Sequence, residues 1–458
     1  MNLIQTALSG TRAAQIGLDV TSQNIANVMT DGYTRQGVQL TTVQPARSGA
    51  TAVGAGVNVP ALIRFSDSYK SLQMWTAASD LAQREVSQSY LTQLEQVLGS
   101  DESGISGGLD QFFSALNAAS VEPGSSPLRQ QVITAAGALA QRFNSLQTVL
   151  SNQRTAIAQQ RSTVVDQVNT LSADVARLND KIAAATGLGV NASGLIDERD
   201  KKIDEVAKLV QVQVVNQPDG TRSVSLRGGQ PLVVGSSPAT MRAQVNPDGT
   251  QTLKLDFANQ TFSLAGTPLG GQLGGLDDLQ GRILTPLSRS ITEMADQLST
   301  NINNKLTTGY GSDGSAGQPL FVFDATSSTS LLKVNPGVLP QNLGFSSDPL
   351  QPGGSDNLLA VIALQQQPVT LTSLGNVLLG DVYSQLVGKL ATDSQQNQAA
   401  LSTAQTVRNQ AEASWKSTSG VNKDEEAVNL LQYQQMYQAN MKVISIANEL
   451  FDSTLAMI

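Results

Sequence analysis

Apolar residues recur every seven positions at both ends of this 458-residue chain. Near the N-terminus the two series are Ile4, Thr11, Leu18, Ile25 and Ala7, Ala14, Thr21, Val28; near the C-terminus the main series is Leu430, Tyr437, Ile444, Phe451, Ile458, flanked by Met436, Val443, Leu450, Met457. A seven-residue repeat lines one side of a helix that packs against another helix. Each end is therefore predicted to form an amphipathic helix. This helix pairs with the helix at the opposite end of the chain or with a helix of another copy; the alternative is an ordinary coiled-coil tether inside a monomer.

The residue types present exclude several kinds of chemistry. The chain has neither cysteine nor histidine, so we expect no disulfide, no thiolate or imidazole metal ligand and no histidine-activated nucleophile. Lysine and arginine total 29 against 37 acidic residues, a net charge of −8. Since no basic patch stands out, nucleic acid is not an expected partner. The sequence predicts no cofactor, no metal and no enzyme active site.

The N-terminus is not typical of a secretory signal peptide, because it lacks a basic region, a continuous apolar core and a small-residue cleavage site. The most apolar run, residues 358–364, is far shorter than the ~20 residues that span a bilayer. We therefore expect no membrane span, and a chain of this kind that leaves the cell needs another route.

The middle of the chain is predicted to be mainly helical, with its longest helix at residues 126–186. Ser126 and Pro127 are typical of a helix start and Gly187 of a helix end. Between them an apolar position recurs every seven residues, at Phe143, Leu150, Ile157, Val164, Leu171, Leu178 and Ala185. Such a helix spans about 90 Å at ~1.5 Å per residue, which favours an elongated subunit.

Between residues 210 and 266 the period changes to two, which predicts a small antiparallel β domain inserted into the helical body. Alternating apolar runs flank Pro218-Asp219-Gly220 and again Pro247-Asp248-Gly249. A Pro-Asp-Gly turn between alternating runs is typical of a hairpin. Further helices are predicted near residues 66–98, 105–120, 276–306, 357–366 and 371–417, with a strand-like stretch at 33–64 and an irregular one at 307–355.

The predicted fold class is mainly α with an inserted antiparallel β domain, elongated, with nested domains built from both chain ends and terminal coiled-coil helices. Residues 1–33 and 421–458 form the predicted terminal coiled-coil assembly domain. Residues 34–209 and 267–420 form a helical-bundle domain with some strand, and residues 210–266 form the β insertion.

Asp197-Glu198-Arg199-Asp200 is the densest charged cluster of the chain. Paired carboxylates can serve in acid–base catalysis. The spacing also produces helix-stabilising i,i+4 pairs, namely Asp197–Lys201, Glu198–Lys202 and Asp204–Lys208. We interpret the cluster as a solvated helix face, with a catalytic pair as the alternative.

Motifs at both ends resemble those of bacterial flagellar rod, hook and hook-associated proteins. At the N-terminus they are Ser22-Gln23-Asn24-Ile25-Ala26-Asn27, Thr30 and Gly32-Tyr33-Thr34-Arg35-Gln36; at the C-terminus they are Gly420-Val421-Asn422, Asp424-Glu425-Glu426, Gln432, Gln435, Tyr437-Gln438-Ala439-Asn440, Val443-Ile444 and Ala447-Asn448. The Gly-Tyr-Thr-Arg-Gln segment and Leu450-Phe451-Asp452 are most similar to the hook-associated proteins of the hook–filament junction, the FlgK family.

The resemblance implies a structural axial protein that forms a junction ring between hook and filament and is required for filament attachment and flagellin assembly. Its implied partners are copies of itself, hook protein on one side, the next hook-associated protein on the other, and a cytoplasmic export chaperone on the C-terminal helix. The implied route is the flagellar type III export channel, which ends at the extracellular flagellum.

Repeats and motifs together predict two assembly interfaces. The N-terminal interface comprises Ile4, Ala7, Thr11, Ala14, Leu18, Thr21, Asn24, Ile25, Asn27, Val28, Gly32 and Tyr33. The C-terminal interface, which also serves the chaperone, comprises Leu430, Tyr437, Asn440, Val443, Ile444, Ala447, Leu450, Phe451 and Ile458.

Three other functions stay open at this point. A hook or rod protein shares such termini, but the resemblance implies a β-rich middle for it, whereas this middle is predicted to be helical. A cell-wall hydrolase needs converging acids, and the carboxylates here are scattered. An axial protein with an added surface-adhesion role would use the β insertion, whose residues indicate no particular ligand.

Overall fold

The computed structural model describes residues 2–44, 54–100, 104–246 and 250–457. The predicted turn Pro247-Asp248-Gly249 and the interface residue Ile458 lie outside the described residues. The helices are α1 Asn2–Ala26, α2 Ser68–Leu98, α3 Ile105–Val121, α4 Ser126–Gly187, α5 Ser193–Leu209, α6 Gly271–Asp278, α7 Thr285–Thr307, α8 Asp356–Ile362, α9 Leu379–Ser419 and α10 Lys423–Leu455.

The strands form small antiparallel sheets. They are β1 Gln36–Thr42, β2 Val57–Arg64, β3 Val212–Asn216, β4 Arg222–Leu226, β5 Pro231–Val234, β6 Ser237–Pro238, β7 Thr240–Val245, β8 Gln251–Phe257, β9 Gln260–Ser263, β10 Phe321–Phe323, β11 Leu332–Val334, β12 Pro368–Leu371 and β13 Gly375–Leu378. Strands β3–β6 make one sheet and β7–β9 another, while β1–β2, β10–β11 and β12–β13 are two-stranded.

Helices α2 to α9 form the body of the molecule around α4. At 62 residues α4 spans about 90 Å at ~1.5 Å per residue, which confirms the predicted long helix. Its partners are α3 and α5, and α2 packs in turn against α5, α6 and α9. One continuous apolar core, from Trp75 to Leu390, runs through these helices and into β3–β5, β7, β8 and β10–β13.

Asparagines on α4 fix the sheets to the body. The Asn169 side chain bonds the backbone N–H and C=O of Met241 at 2.7 and 2.9 Å. Asn144 does the same for Leu332. Fully buried Asn179 accepts from the N–H of Arg222 at 3.1 Å and donates to its C=O at 2.8 Å. A carboxamide can bond both the N–H and the C=O group of one residue. The asparagines of α4 therefore satisfy backbone groups of three strands that would otherwise be buried without hydrogen-bond partners.

We expect Asn179→Ala to lower the free energy of unfolding by about 3 kcal/mol, because it leaves buried backbone groups at Arg222 and Gly235 unpaired. Asn152→Ala is the control, since Asn152 is exposed on the same helix and its replacement should cost under about 0.5 kcal/mol. Urea unfolding of the purified chain measures both. Equal losses would contradict the capping role.

The structure corrects two helix boundaries predicted from the sequence and gives the end of the first helix. The helix predicted from residue 371 begins at Leu379, because β12 and β13 form a hairpin around Gly375, whose φ is +70°. The helix predicted at residues 276–306 is two helices joined by a π-helical turn, Leu279–Leu284. Helix α1 ends at Ala26, and turns carry the chain on to Gly32, where φ is +81°.

Candidate assembly surface

The two terminal helices pair antiparallel along their length. Gly10 lies against Asn440 and Gly17 against Tyr433, and the Asn24 side chain donates to Glu426 at 3.1 Å. Each step of seven residues forward on α1 is a step of seven backward on α10, as a heptad seam requires. Of the pairings predicted from the sequence, the structure shows the one between the two opposite ends of the chain.

Glycines make this seam unusually close. A Cβ placed on Gly17 would lie 2.5 Å from ring carbons of Tyr433, and one placed on Gly10 would lie 2.5 Å from the Asn440 amide oxygen. Carbon atoms in contact are normally 3.5–4.0 Å apart. The side chains of α10 therefore fill space that only glycine leaves free on α1.

A buried hydrogen-bond cluster closes the inner end of the helix pair. Asn24 and Glu426 are each about 1% exposed. The Asn24 amide accepts from Tyr33 Oη at 2.8 Å and from the Gln36 N–H at 3.0 Å, and it donates to the Gln36 C=O at 2.8 Å. Burial and the nearby carboxylates of Asp197 and Glu426 raise the Tyr33 pKa, so the phenol keeps its proton as donor. This cluster, the terminal latch, joins α1, β1 and α10.

Arg35 extends the terminal latch to the surface. Its guanidinium pairs with Glu425 and lies 3.2 Å from the Glu426 carboxylate. The same group stacks 4.8 Å above the Phe65 ring, and the Arg35 N–H donates to the Ser419 C=O at 2.8 Å. Arg35 therefore holds the hairpin base, the end of α9 and the start of α10 together.

The charged cluster on α5 is a buried ion-pair network, which corrects the predicted solvated face. Asp197 is 9% and Arg199 2% exposed. Asp197 accepts from Arg64 at 2.6 and 2.8 Å and from the Thr34 N–H at 3.0 Å. Asp200 accepts from Arg64 at 3.1 Å and pairs with Arg222. The network ties the hairpin β1–β2 to α5 and the first inserted sheet.

Two of the three predicted i,i+4 pairs are also wrong. Lys201 reaches Asp31 at 3.9 Å and Lys202 pairs with Glu205, whereas Lys208–Asp204 is formed at 3.3 Å. Burial lowers the Arg199 pKa to about 10, so the guanidinium stays charged at neutral pH and donates to the Gly220 C=O at 2.7 Å. The carboxylates of Asp197 and Asp200 are thus held by the arginines Arg64 and Arg222.

Large apolar side chains are exposed along both terminal helices. They are Leu3, Ile4, Leu8 and Ile25 on α1 and Val428, Leu431, Met441, Ile446, Leu450, Phe451 and Leu455 on α10. By the register of the pair, Asn2 lies opposite Asn448, so the residues after Asn448 have no counterpart on α1. Leu450 and Phe451, 60% and 64% exposed, stand on this overhang. An apolar surface of this kind is typical of an interaction site.

The structure divides the predicted interface residues between the inside and the outside of the helix pair. Buried are Ala7, Thr11, Ala14, Thr21, Asn24 and Ala447; half-buried are Leu18, Asn27, Val28, Gly32, Tyr33, Leu430, Tyr437, Asn440, Val443 and Ile444; exposed are Ile4, Ile25, Leu450 and Phe451. Sequence reasoning missed Gly10, Gly17, Tyr433 and Glu426. Gly10 and Gly17 are seven residues apart on α1, and Glu426 and Tyr433 are seven residues apart on α10. Because they are small or polar residues, an apolar periodicity does not reveal them.

Among the described residues, no group of acidic side chains could hold a metal ion. No described helix is long and apolar enough to cross a membrane.

Comparison with known proteins finds three family models along the chain. Residues 4–34 match the flagella basal body rod protein family, and residues 417–457 match the C-terminal family of flagellar basal body rod FlgEFG proteins. Residues 91–321, half of the chain, match the flagellar hook-associated protein FlgK helical domain. The terminal models thus cover the helix pair and the third covers much of the body.

Curated relatives extend the likeness to the full chain. Flagellar hook-associated protein 1 of Salmonella typhimurium is 26% identical, with 99% of each chain covered. The Bacillus subtilis protein of the same name is 25% identical, covering 99% of this chain and 97% of the relative. The flagellar hook junction protein FlgK from Burkholderia pseudomallei has a similar fold, with a TM-score of 0.68 over 76% of this chain and all of that one, at 16% identity.

A terminal helix pair with rod-protein motifs, joined to a long helical body, defines a bacterial flagellar axial protein. Within that class, the chain belongs to the family of the flagellar hook-associated protein FlgK. Proteins of this family are structural components of the flagellum.

Proposed function

We propose that the chain is a structural axial component of the bacterial flagellum that forms the junction between hook and filament and is required for filament attachment. The observation that carries this proposal is the helix pair α1–α10, with exposed apolar side chains on both helices, on a body similar to that of hook-associated protein 1. The family also favours the junction over the hook or rod alternative.

The exposed sides of the helix pair are the proposed assembly interface. Side chains such as Ile4 and Ile25 on α1 are free to contact other copies, while Ala7, Ala14 and Thr21 lie inside the pair. A ring of copies would bury these side chains and gain about 25 cal/mol for each Å² of apolar surface removed from water. Hook protein on one side and the next hook-associated protein on the other are the proposed axial neighbours.

The overhang of α10 is the proposed chaperone site. An apolar helix end that finds no partner helix among the described residues is expected to be shielded from solvent before assembly. We propose that a cytoplasmic export chaperone binds residues 449–458, and that the chain then leaves through the flagellar type III channel to reach the extracellular flagellum.

We also propose three structural units. Residues 1–33 and 421–458 form the terminal assembly unit, residues 34–209 and 267–420 the body, and residues 210–266 the β insertion. The terminal unit lies outside the apolar core of the body, whereas the insertion contributes Val224, Met241 and Leu255 to that core. The insertion is therefore fixed to α4 rather than suspended from it.

Deleting the gene should produce hooks that carry no filament, with flagellin lost to the medium, because flagellin subunits would lack their base. Electron microscopy of the cells and an immunoassay of the medium measure both results, and a plasmid-borne wild-type copy is the control. Missing hooks would indicate a hook or rod protein instead. Normal filaments would contradict a role in attachment.

A further inference from the structure

The hairpin β1–β2 stands outside the core of the body. Its strands pair from Gln36 with Arg64 to Thr42 with Val57, and none of its residues belongs to the continuous apolar core. It lies along α1: at its base Asn24 binds Gln36, and near its tip the Val57 N–H donates to Ser9 Oγ at 3.1 Å. An isolated two-stranded hairpin is marginally stable in water, so further contacts would stabilise it.

One face of this hairpin is exposed and apolar. Ile63 is 44% and Phe65 36% exposed, and Ala61 is exposed on the same face. The Phe65 ring covers Gly37, where a Cβ would lie 2.8 Å from it, while Arg35 stacks on the same ring. The ring is therefore held in place although part of it faces solvent, as expected of a preformed contact surface.

The described hairpin residues between Arg35 and Arg64 include no charged side chain, and α1 carries only Arg12 and Asp19. Depletion of charge is typical of interface centres rather than of solvated surfaces. Each copy has a net charge of −8, and a contact between uncharged surfaces adds no further like-charge repulsion between two copies. Gly56, next to the start of β2, adjoins Thr6 and Ser9, so this part of the hairpin lies beside the stretch of α1 that exposes Leu3, Ile4 and Leu8.

The contact uses the face of the hairpin rather than its edge. Pro60 lies within β2, one of the two edge strands of this sheet, and cannot donate a hydrogen bond to an added strand. The register shift between Gln39 and Thr41 faces three steps on β2, from Ala61 to Asn58, so β2 carries an extra residue and bends there. Both features discourage open-ended strand pairing.

We propose that the face formed by Ala61, Ile63 and Phe65 docks on the terminal unit of a second copy of this chain. This inference rests on the proposed function and adds an interface to that of the terminal helices. It explains why a weak hairpin keeps the apolar side chains of Ala61, Ile63 and Phe65 exposed in the single copy.

Single cysteines test the docking surface, because the chain has no cysteine of its own. Ile63→Cys and Ala61→Cys should react with a maleimide at least about tenfold more slowly in purified flagella than in the purified monomer, since thiol reactivity depends on access. Val322→Cys is the matched control: Val322 is 45% exposed, also on a strand, and lies on the body. Its reaction rate should be similar in both states. Hairpin cysteines that react as fast in flagella as in monomer would overturn the proposal.

A photoreactive benzophenone attached at position 63 identifies the neighbour. A covalent product containing two copies of this chain is the expected result, and a product containing only another flagellar protein would overturn the choice of occupant. If purified flagella lack the chain altogether, the proposed function fails and the docking surface fails with it. If the chain is present and the hairpin cysteines react as fast as in the monomer, only the proposed docking surface is contradicted.

Discussion

Gly17→Val is expected to leave the body folded and to produce cells whose hooks carry no filament. The valine Cβ would overlap the Tyr433 ring, whose atoms lie 2.5 Å from that position. The overlap is close to the root of the ring, so a change of rotamer cannot relieve it while α1 and α10 stay paired. Overpacking of this kind destabilises the paired helices by about 1–3 kcal/mol, and the loss applies to every copy in the assembly.

The measurement combines electron microscopy of hooks, flagellin in the medium, and thermal unfolding of the purified chain. Gly388→Val is the matched control, because Gly388 lies within α9 and a Cβ there meets nothing within 4 Å. That variant should keep its filaments. Gly10→Val should have a milder effect, since the neighbouring Asn440 amide is the far end of a side chain that can move. Normal filaments in Gly17→Val would show that the seam is not needed for assembly.

The predictability of this fold follows from how each element is stabilised. Long helices such as α4 were predicted because their apolar positions keep one period over many turns. The seam of the terminal helices was only half predicted: Ala7, Ala14 and Thr21 were included, but glycines contribute no hydrophobicity to a periodicity count. Gly10 and Gly17 matter because of what α10 places opposite them, and that is a property of the pair.

Buried polar contacts were the least predictable part. Asn144, Asn169 and Asn179 each bond both backbone groups of a residue distant in sequence, and nothing local distinguishes them from solvated asparagines. The cluster around Asp197 was misinterpreted for the same reason. Its local spacing fits lysine pairs, yet arginines from β2 and β4 reach it only after the chain has folded.

Asp197→Ala is the second change with a large expected effect, lowering the free energy of unfolding by about 3–5 kcal/mol. It removes the carboxylate that accepts from Arg64 at 2.6 and 2.8 Å and from the Thr34 N–H at 3.0 Å. Arg64 would keep Asp200 at 3.1 Å, while the buried Thr34 N–H would lose the only partner that the structure gives it. Urea unfolding of the purified chain measures the loss.

Glu198→Ala is the control, because Glu198 is the next residue of the same helix and is exposed, so its loss should cost under about 0.5 kcal/mol. Asp197→Asn should fall between the two, since an amide oxygen can still accept from Thr34 but carries no charge for Arg64. Similar small losses at both positions would favour the solvated face that the sequence predicted. A large loss at Asp197 alone, together with detached filaments, would indicate that the hairpin base must be fixed to α5 for the terminal helices to reach their neighbours.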